Sequence, residues 1–201
     1  FGYQGAYRGV FPVKCNHDRE LLREVVAFGK PLGYGLEAGS KPELLLAASL
    51  LMEARSEGWL VCNGYKDAAY VDAALLLSQL HPRTVLVIEK PDELQLILRA
   101  SERTGVRPKL GLRAKLSCKH EGHWGATSGD SAKFGLNVQE VWGAVEQARA
   151  AGALDCLQLL HFHIGSQVAN ISTIKDAMRE ASHLYAELSL LGAPMGLLDV
   201  G

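Results

Sequence analysis

Cysteine is scarce in this chain: four in 201 residues, at positions 15, 62, 118 and 156, with no C-x-x-C pair among them. That spacing fits reduced thiols in the cytoplasm better than a disulfide framework. An excess of one charge is also lacking. Twenty-one basic and 22 acidic side chains leave a formal net charge of −1, so the chain carries no electrostatic footprint for nucleic acid or an anionic membrane. No apolar run approaches the ~20 residues of a bilayer-spanning helix, and no charged-then-apolar leader pattern opens the sequence. The seven prolines are scattered, without a linker or low-complexity tract. No G-x-G-x-x-G follows the first candidate strand, which weakens a dinucleotide-binding fold.

What is present is apolar and periodic. Hydrophobic residues make up 48% of the chain. That is enough for one substantial core and too little for two ordinary domains, so residues 1–201 are expected to form one domain. Phe1 begins in mid-pattern and Gly201 follows an apolar run directly, which leads us to expect a piece of a longer protein. Short apolar runs at 9–15, 34–37, 59–63, 84–89, 109–113, 157–163 and 196–200 read as strands. The longer segments between them read as helices.

Local signals support this. Ser40-Lys41-Pro42-Glu43 predicts a capping box, Pro91 suits a first helical position, and Asn137 with Glu140 predicts a second cap. Ile174, Ala177, Met178, Ala181, Leu184, Tyr185, Leu188 and Leu191 share one helical face, and Gly192 predicts its end. Strand followed by helix, seven times over, points to an α/β fold with parallel strands: either an open doubly wound sheet or a TIM-like (β/α)8 barrel with about seven βα units present. The polar, Gly-rich stretch 118–130 is expected to be a loop insertion after the fifth strand. Its Cys118-x-His120-x-x-His123 spacing matches no standard zinc site.

Chemistry gathers at the ends of the candidate strands, where βα-barrels keep their functional residues. Lys14 closes the first, Glu37 the second, Asn63 the third, Arg113 the fifth and His163 the sixth, and Gly201 follows the seventh. On a buried strand Lys14 would be desolvated, as an imine-forming amine requires; pairing with Glu37 for structure is the plainer alternative. His161 and His163 flank Phe162 and would share one face of a strand, open to metal ligation, to stacking on an aromatic cofactor, or to a core and a rim role. Gly165-Ser166 suits a phosphate.

The segments FPVKCN, GLEAGSKPEL, CNGYKD, LGLRAKL, SAKFGL and LLHFHIGSQVANI, in this order from about Tyr7 to Gly201, resemble the biosynthetic arginine decarboxylase branch of the fold-type III pyridoxal-phosphate decarboxylases. Relatives of that group act on ornithine, lysine and diaminopimelate, and alanine racemase shares the fold. The resemblance implies pyridoxal 5′-phosphate as cofactor and arginine as substrate, with agmatine and CO2 as products of a route to polyamines. It implies that Lys14 is the Schiff-base lysine, His163 stacks on the pyridine ring, and Ser166 contacts the phosphate. It implies that Arg113 lies near the phenolic oxygen and that Glu37 supports the site around the lysine. Gly201 matches the first glycine of a phosphate loop, and His161 is left to the core. The resemblance also implies a homo-oligomer and a further C-terminal β domain. Family members are described with magnesium, for which no ligand set is evident here. A non-catalytic cofactor-binding barrel, a metal hydrolase built on His161-x-His163 and an imine-forming aldolase are the competing functions.

Overall fold

The computed structural model describes residues 4–117, 134–166 and 168–201. The expected insertion at 118–130, with Cys118, His120 and His123, lies outside them. The chain divides into two compact units, Phe1–Leu86 and Val87–Gly201. Within each unit, strand order is chain order.

The first unit holds β1 (Val10–Pro12), α1 (Arg19–Gly29), β2 (Gly35–Ala38), α2 (Lys41–Glu53), β3 (Leu60–Cys62), α3 (Ala68–Leu80) and most of β4 (Thr84–Ile88). Consecutive strands pair in parallel, with Pro12 opposite Glu37, Ala38 opposite Cys62 and Cys62 opposite Leu86. Parallel strands covered by helices are buried on both faces and read as unbroken apolar runs. β3 (Leu-Val-Cys) and β4 (Thr-Val-Leu-Val-Ile) are accordingly buried at every position. Each such Val, Leu or Ile contributes about 1.5–3 kcal/mol relative to exposure. α1 buries Leu22, Val26 and Gly29 at helical spacing, and Asp18 caps it by accepting from the Leu21 N–H.

The second unit continues with α4 (Pro91–Thr104), β5 (Lys109–Arg113), α5 (Val138–Ala150), β6 (Leu157–His161), α6 (Ile171–Leu190) and β7 (Leu197–Asp199). β5, β6 and β7 pair in parallel, Arg113 opposite His161 and His161 opposite Asp199. Pro91 opens α4, and Asn137 and Glu140 form the expected reciprocal capping box on α5. α6 buries Ala177, Ala181 and Leu188 on the expected face, while Ile174 and Leu191 at its ends are exposed. Gly192, at φ +92°, follows its last turn.

Three expectations need correction. Ser40 caps α2 without a side-chain hydrogen bond, because the Glu43 carboxylate reaches one residue further back, to the Gly39 N–H at 2.7 Å. The first strand stops at Pro12, and Val13–Cys15 form a 3-10 turn closed by the Asn16 N–H on the Val13 carbonyl. Proline cannot donate to a ladder, so the strand ends there. Lys14 therefore stands on a turn rather than on a buried strand, with its side chain 59% exposed. The desolvation expected of it is absent. The sixth strand ends at His161, two residues before His163.

Candidate active site at the strand ends

In the first unit, the 3-10 turn lifts Lys14 just beyond β1, and the Pro12–Glu37 register brings Glu37 beside it. Lys14 Nζ lies 3.6 Å from Glu37 Oε1, and the Glu37 side chain is only 17% exposed. An accessible amine faces a largely sheltered carboxylate. The backbone behind Glu37 is clamped: the Asn63 N–H donates to the Ala38 carbonyl at 2.9 Å. The buried Tyr70 hydroxyl, aimed at the carbonyls of Ala38 (3.0 Å) and Asn63 (3.3 Å), ties the ends of β2 and β3 together.

The CNGYKD segment builds this corner. Gly64 adopts φ +76°, and a β-carbon there would stand 2.1 Å from the Gly39 carbonyl oxygen, so the corner requires glycine. Lys66, 1% exposed, donates to the Gly64 carbonyl at 2.7 Å and lies 5.8 Å from the Tyr70 ring centre. Asp67 caps α3 at the Tyr70 N–H and pairs with Lys41 at 2.6 Å. The Lys41 hydrogen bond and that of the Tyr70 N–H hold the Asp67 carboxyl below its usual range. Burial pushes the Cys62 thiol up to about 12, although the Lys66 charge and the Tyr70 hydroxyl oppose it.

In the second unit, Arg113 ends β5 and donates to Glu89 Oε1 at 3.0 Å. Glu89 follows β4 and is 2% exposed. The Phe134 ring lies 5.6 Å from the Arg113 guanidinium carbon, within the range of a cation–π contact. Gly135 and Leu136 bond the backbone carbonyls of Glu89 and Arg113, holding both partners from the main-chain side.

His161, 3% exposed, is in the core as expected, with its Nδ1 2.9 Å from Asp199 Oδ2. That is an ion-pair distance, although the ring N–H falls short of hydrogen-bond geometry. Burial alone would raise the Asp199 carboxyl. The contact with His161, the Gly201 N–H and the charge of His163 outweigh it and hold the carboxyl below its usual range. His163 is exposed, and Gly201 packs against it: a methyl on Gly201 would stand 2.6 Å from His163 Nδ1. Ser166 is exposed in the loop after β6.

The structure thus joins Lys14 with Glu37 and His163 with Gly201. It gives Arg113 a partner, Glu89, to which the sequence assigned no role, and does the same for His161 with Asp199. Glu89 ends a candidate strand, the same criterion that singled out Arg113 and His163, and Asp199 ends β7. Among the described residues, no group of three or more His, Cys, Asp or Glu side chains could hold a metal ion.

A pyridoxal group fits what is present. In the first unit, the accessible amine of Lys14 is the kind of group to which a pyridoxal aldehyde attaches. In the second unit, the exposed His163 adjoins Gly201 so closely that a β-carbon between them has no room, which sets an imidazole beside a backbone free of side chain.

Comparison with known proteins supports the cofactor. Residues 3–201 match the family model for the pyridoxal-binding domain of pyridoxal-dependent decarboxylases. The biosynthetic arginine decarboxylase of Thermosynechococcus vestitus is 53% identical over 201 residues, covering 100% of this chain and 31% of that protein. Arginine decarboxylase 1 of Oryza sativa subsp. japonica is 51% identical over 201 residues, 29% of its length. The crystal structure of the biosynthetic arginine decarboxylase SpeA from Campylobacter jejuni superposes with a TM-score of 0.86 at 34% identity, covering 100% of this chain and 32% of that one. A diaminopimelate decarboxylase variant from Helicobacter pylori, complexed with L-lysine, gives a TM-score of 0.81 at 21% identity over 98% of this chain and 48% of that one, a likeness of fold alone. With parallel strands alternating with helices in each unit, the fold is of the TIM-like α/β barrel kind expected from the sequence.

Proposed function

The chain belongs to the pyridoxal-dependent decarboxylase family, and we propose that its protein decarboxylates L-arginine to agmatine and CO2. The chain spans about a third of the length of the curated relatives it matches, so this activity is a proposal about the whole protein. The observation that carries it is 53% identity over all 201 residues to a protein named as a biosynthetic arginine decarboxylase. Both units are read together as the one pyridoxal-binding domain that the family model spans.

Bound pyridoxal phosphate supplies the electron sink that takes up the electron pair released when CO2 leaves. The rest falls to the chain. Lys14 Nζ would be the amine that holds the cofactor. Glu37, 3.6 Å away, orients that amine and gives it a counter-charge. Arg113, fixed by Glu89 at 3.0 Å, would offer the cofactor's phenolic oxygen a permanent positive charge. His163 would stack on the ring and Ser166 would offer its hydroxyl to the phosphate, with Gly201 leaving the backbone beside them free of a side chain.

Substrate and setting follow the same reading: a small amino acid, with no nucleic acid or membrane as partner, and a homo-oligomeric assembly. Among the described residues, no helix is long and apolar enough to cross a membrane. Cys15, Cys62 and Cys156 are free thiols, which suits the cytoplasm.

The test is CO2 release by the full-length protein from arginine, ornithine, lysine and diaminopimelate, after borohydride mapping of the cofactor. We expect the label on Lys14 and agmatine as the dominant product. Preference for another of the four amino acids overturns the substrate. Cofactor binding without CO2 release from any of them makes the protein a carrier instead.

A further inference from the structure

Asp199 is a carboxylate that the functional reading leaves without a task, yet it touches both sides of the proposed cofactor pocket's second-unit lining. Its Oδ1 accepts from the Gly201 N–H at 3.0 Å, and its Oδ2 lies 2.9 Å from His161 Nδ1. Its backbone carbonyl accepts from the Phe162 N–H at 3.1 Å, directly before His163. Gly201 in turn abuts His163 Nδ1 and the Phe162 carbonyl oxygen. One residue therefore determines where Gly201 stands against His163.

We propose that Asp199 is a positioning residue that presets the cofactor contacts of the second unit, its two carboxylate oxygens fixing Gly201 and His161 before the cofactor arrives. The proposal rests on the reading that His163 and Gly201 hold pyridoxal phosphate. The physical case is preorganisation. A glycine at φ +80° has many alternatives, and a phosphate would have to restrict them on binding. A hydrogen bond to a carboxylate restricts them beforehand, since charge-assisted bonds are the stronger kind. The depressed Asp199 carboxyl keeps that acceptor charged at neutral pH. His161, buried on the opposite side, keeps the carboxylate from turning away. Phe162, 2% exposed, anchors the segment between the two histidines in the core, so the corner has little freedom to adjust.

The experiment uses the full-length holoenzyme with Asp199→Ala and Asp199→Asn. It reads the dissociation constant for pyridoxal phosphate, the visible circular dichroism of the bound cofactor and the melting temperature. Asp199→Ala should weaken cofactor binding about tenfold, the size of one charge-assisted hydrogen bond, and alter the dichroic band. Asp199→Asn keeps an oxygen for the Gly201 N–H and should recover most of that affinity. A folded Asp199→Ala protein with wild-type affinity and an unchanged band overturns the proposal, whatever its melting temperature, because a purely structural role would move only the last.

Should Asp199→Ala not fold, hydrogen–deuterium exchange of the wild-type peptide containing Gly201, with cofactor removed, decides. Protection well above that of an unfolded chain supports presetting, and exchange at the unfolded rate overturns it. If the wild-type protein itself fails to bind pyridoxal phosphate, the cofactor reading falls and takes the proposal with it. Wild-type binding with an indifferent Asp199→Ala defeats the proposal alone.

Discussion

A methyl group on Gly201 would stand 2.6 Å from His163 Nδ1 and 2.7 Å from the carbonyl oxygen of Phe162. The glycine also adopts φ +80°, where a β-carbon costs about 1–2 kcal/mol. Gly201→Ala must therefore move His163 or the backbone beyond β7. In the full-length protein it should weaken pyridoxal-phosphate binding about tenfold while borohydride still labels Lys14, since the attachment point lies elsewhere in the chain. Unchanged affinity in an equilibrium titration would show that this contact does not shape the phosphate end of the pocket.

Glu37→Gln should separate chemistry from stability. Lys14 is 59% exposed, and a pair so open to water contributes no more than about 1 kcal/mol to folding. The melting temperature should hold, while turnover falls about tenfold or more because the released amine loses its counter-charge. Parallel losses in both would make the Lys14–Glu37 pair structural, the plainer alternative that the sequence left open.

Much of this architecture could be read from short-range pattern. The Asn137–Glu140 box, Pro91 at the start of α4 and the bounds of β5 depend on neighbours within a few residues, and the structure has them as expected. What escaped depends on contacts across strands. Glu89 directly follows β4 and Asp199 ends β7, as Arg113 ends β5, but their partners are distant in sequence, and no local spacing marks the pairing. Lys14 was placed by the correct strand with the wrong end. The run 9–15 is continuously apolar up to its lysine, and only the missing N–H of Pro12 signals that the ladder stops early. The CNGYKD segment was legible as a family mark, whereas its physical task, the clamp of Tyr70 and Lys66 on the β2–β3 corner, needed coordinates.

Glu89→Ala should cost more stability than any surface change. Glu89 is 2% exposed, and its loss leaves the Arg113 guanidinium, 18% exposed, without its carboxylate. Breaking such a pair from one side costs about 3–5 kcal/mol, since the remaining charge stays largely desolvated. Urea denaturation gives the number. A loss under about 1 kcal/mol would mean that water reaches Arg113 and the pair behaves as a surface one.

Thiol reactivity should divide the cysteines sharply. Cys15 is exposed, whereas Cys62 is fully buried with its thiol pushed up to about 12 by that burial. The thiolate is the reactive form, so at pH 8 Cys62 is nearly all unreactive thiol as well as inaccessible. Iodoacetamide followed by peptide mass spectrometry should modify Cys15 and leave Cys62 intact until denaturant is added. Early labelling of Cys62 would mean that the β2–β3 corner opens far more readily than its packing implies.

The pH dependence of stability tests the Asp199 contacts independently of the cofactor. Asp199 is held below its ordinary value of 3.8 in the folded protein by His161, the Gly201 N–H and His163, which together outweigh its burial. A carboxyl whose folded value is depressed binds its proton more readily when unfolded. Where the two states differ, the unfolded chain carries more protons, and stability rises with pH. The Asp199 contribution is thus fully present above the unfolded value and lost as pH falls through the folded one. Asp199→Asn cannot titrate, and it keeps the size and one acceptor oxygen of the original. The stability difference between the wild-type protein and Asp199→Asn, from urea denaturation, should be level between neutral pH and about pH 5 and should shrink below about pH 4. A difference that stays constant through that acid range would mean that the carboxyl titrates alike in both states and that His161 and Gly201 exert no hold on it. A difference that grows as pH falls would reverse the sign and require Asp199 to fold in its protonated form.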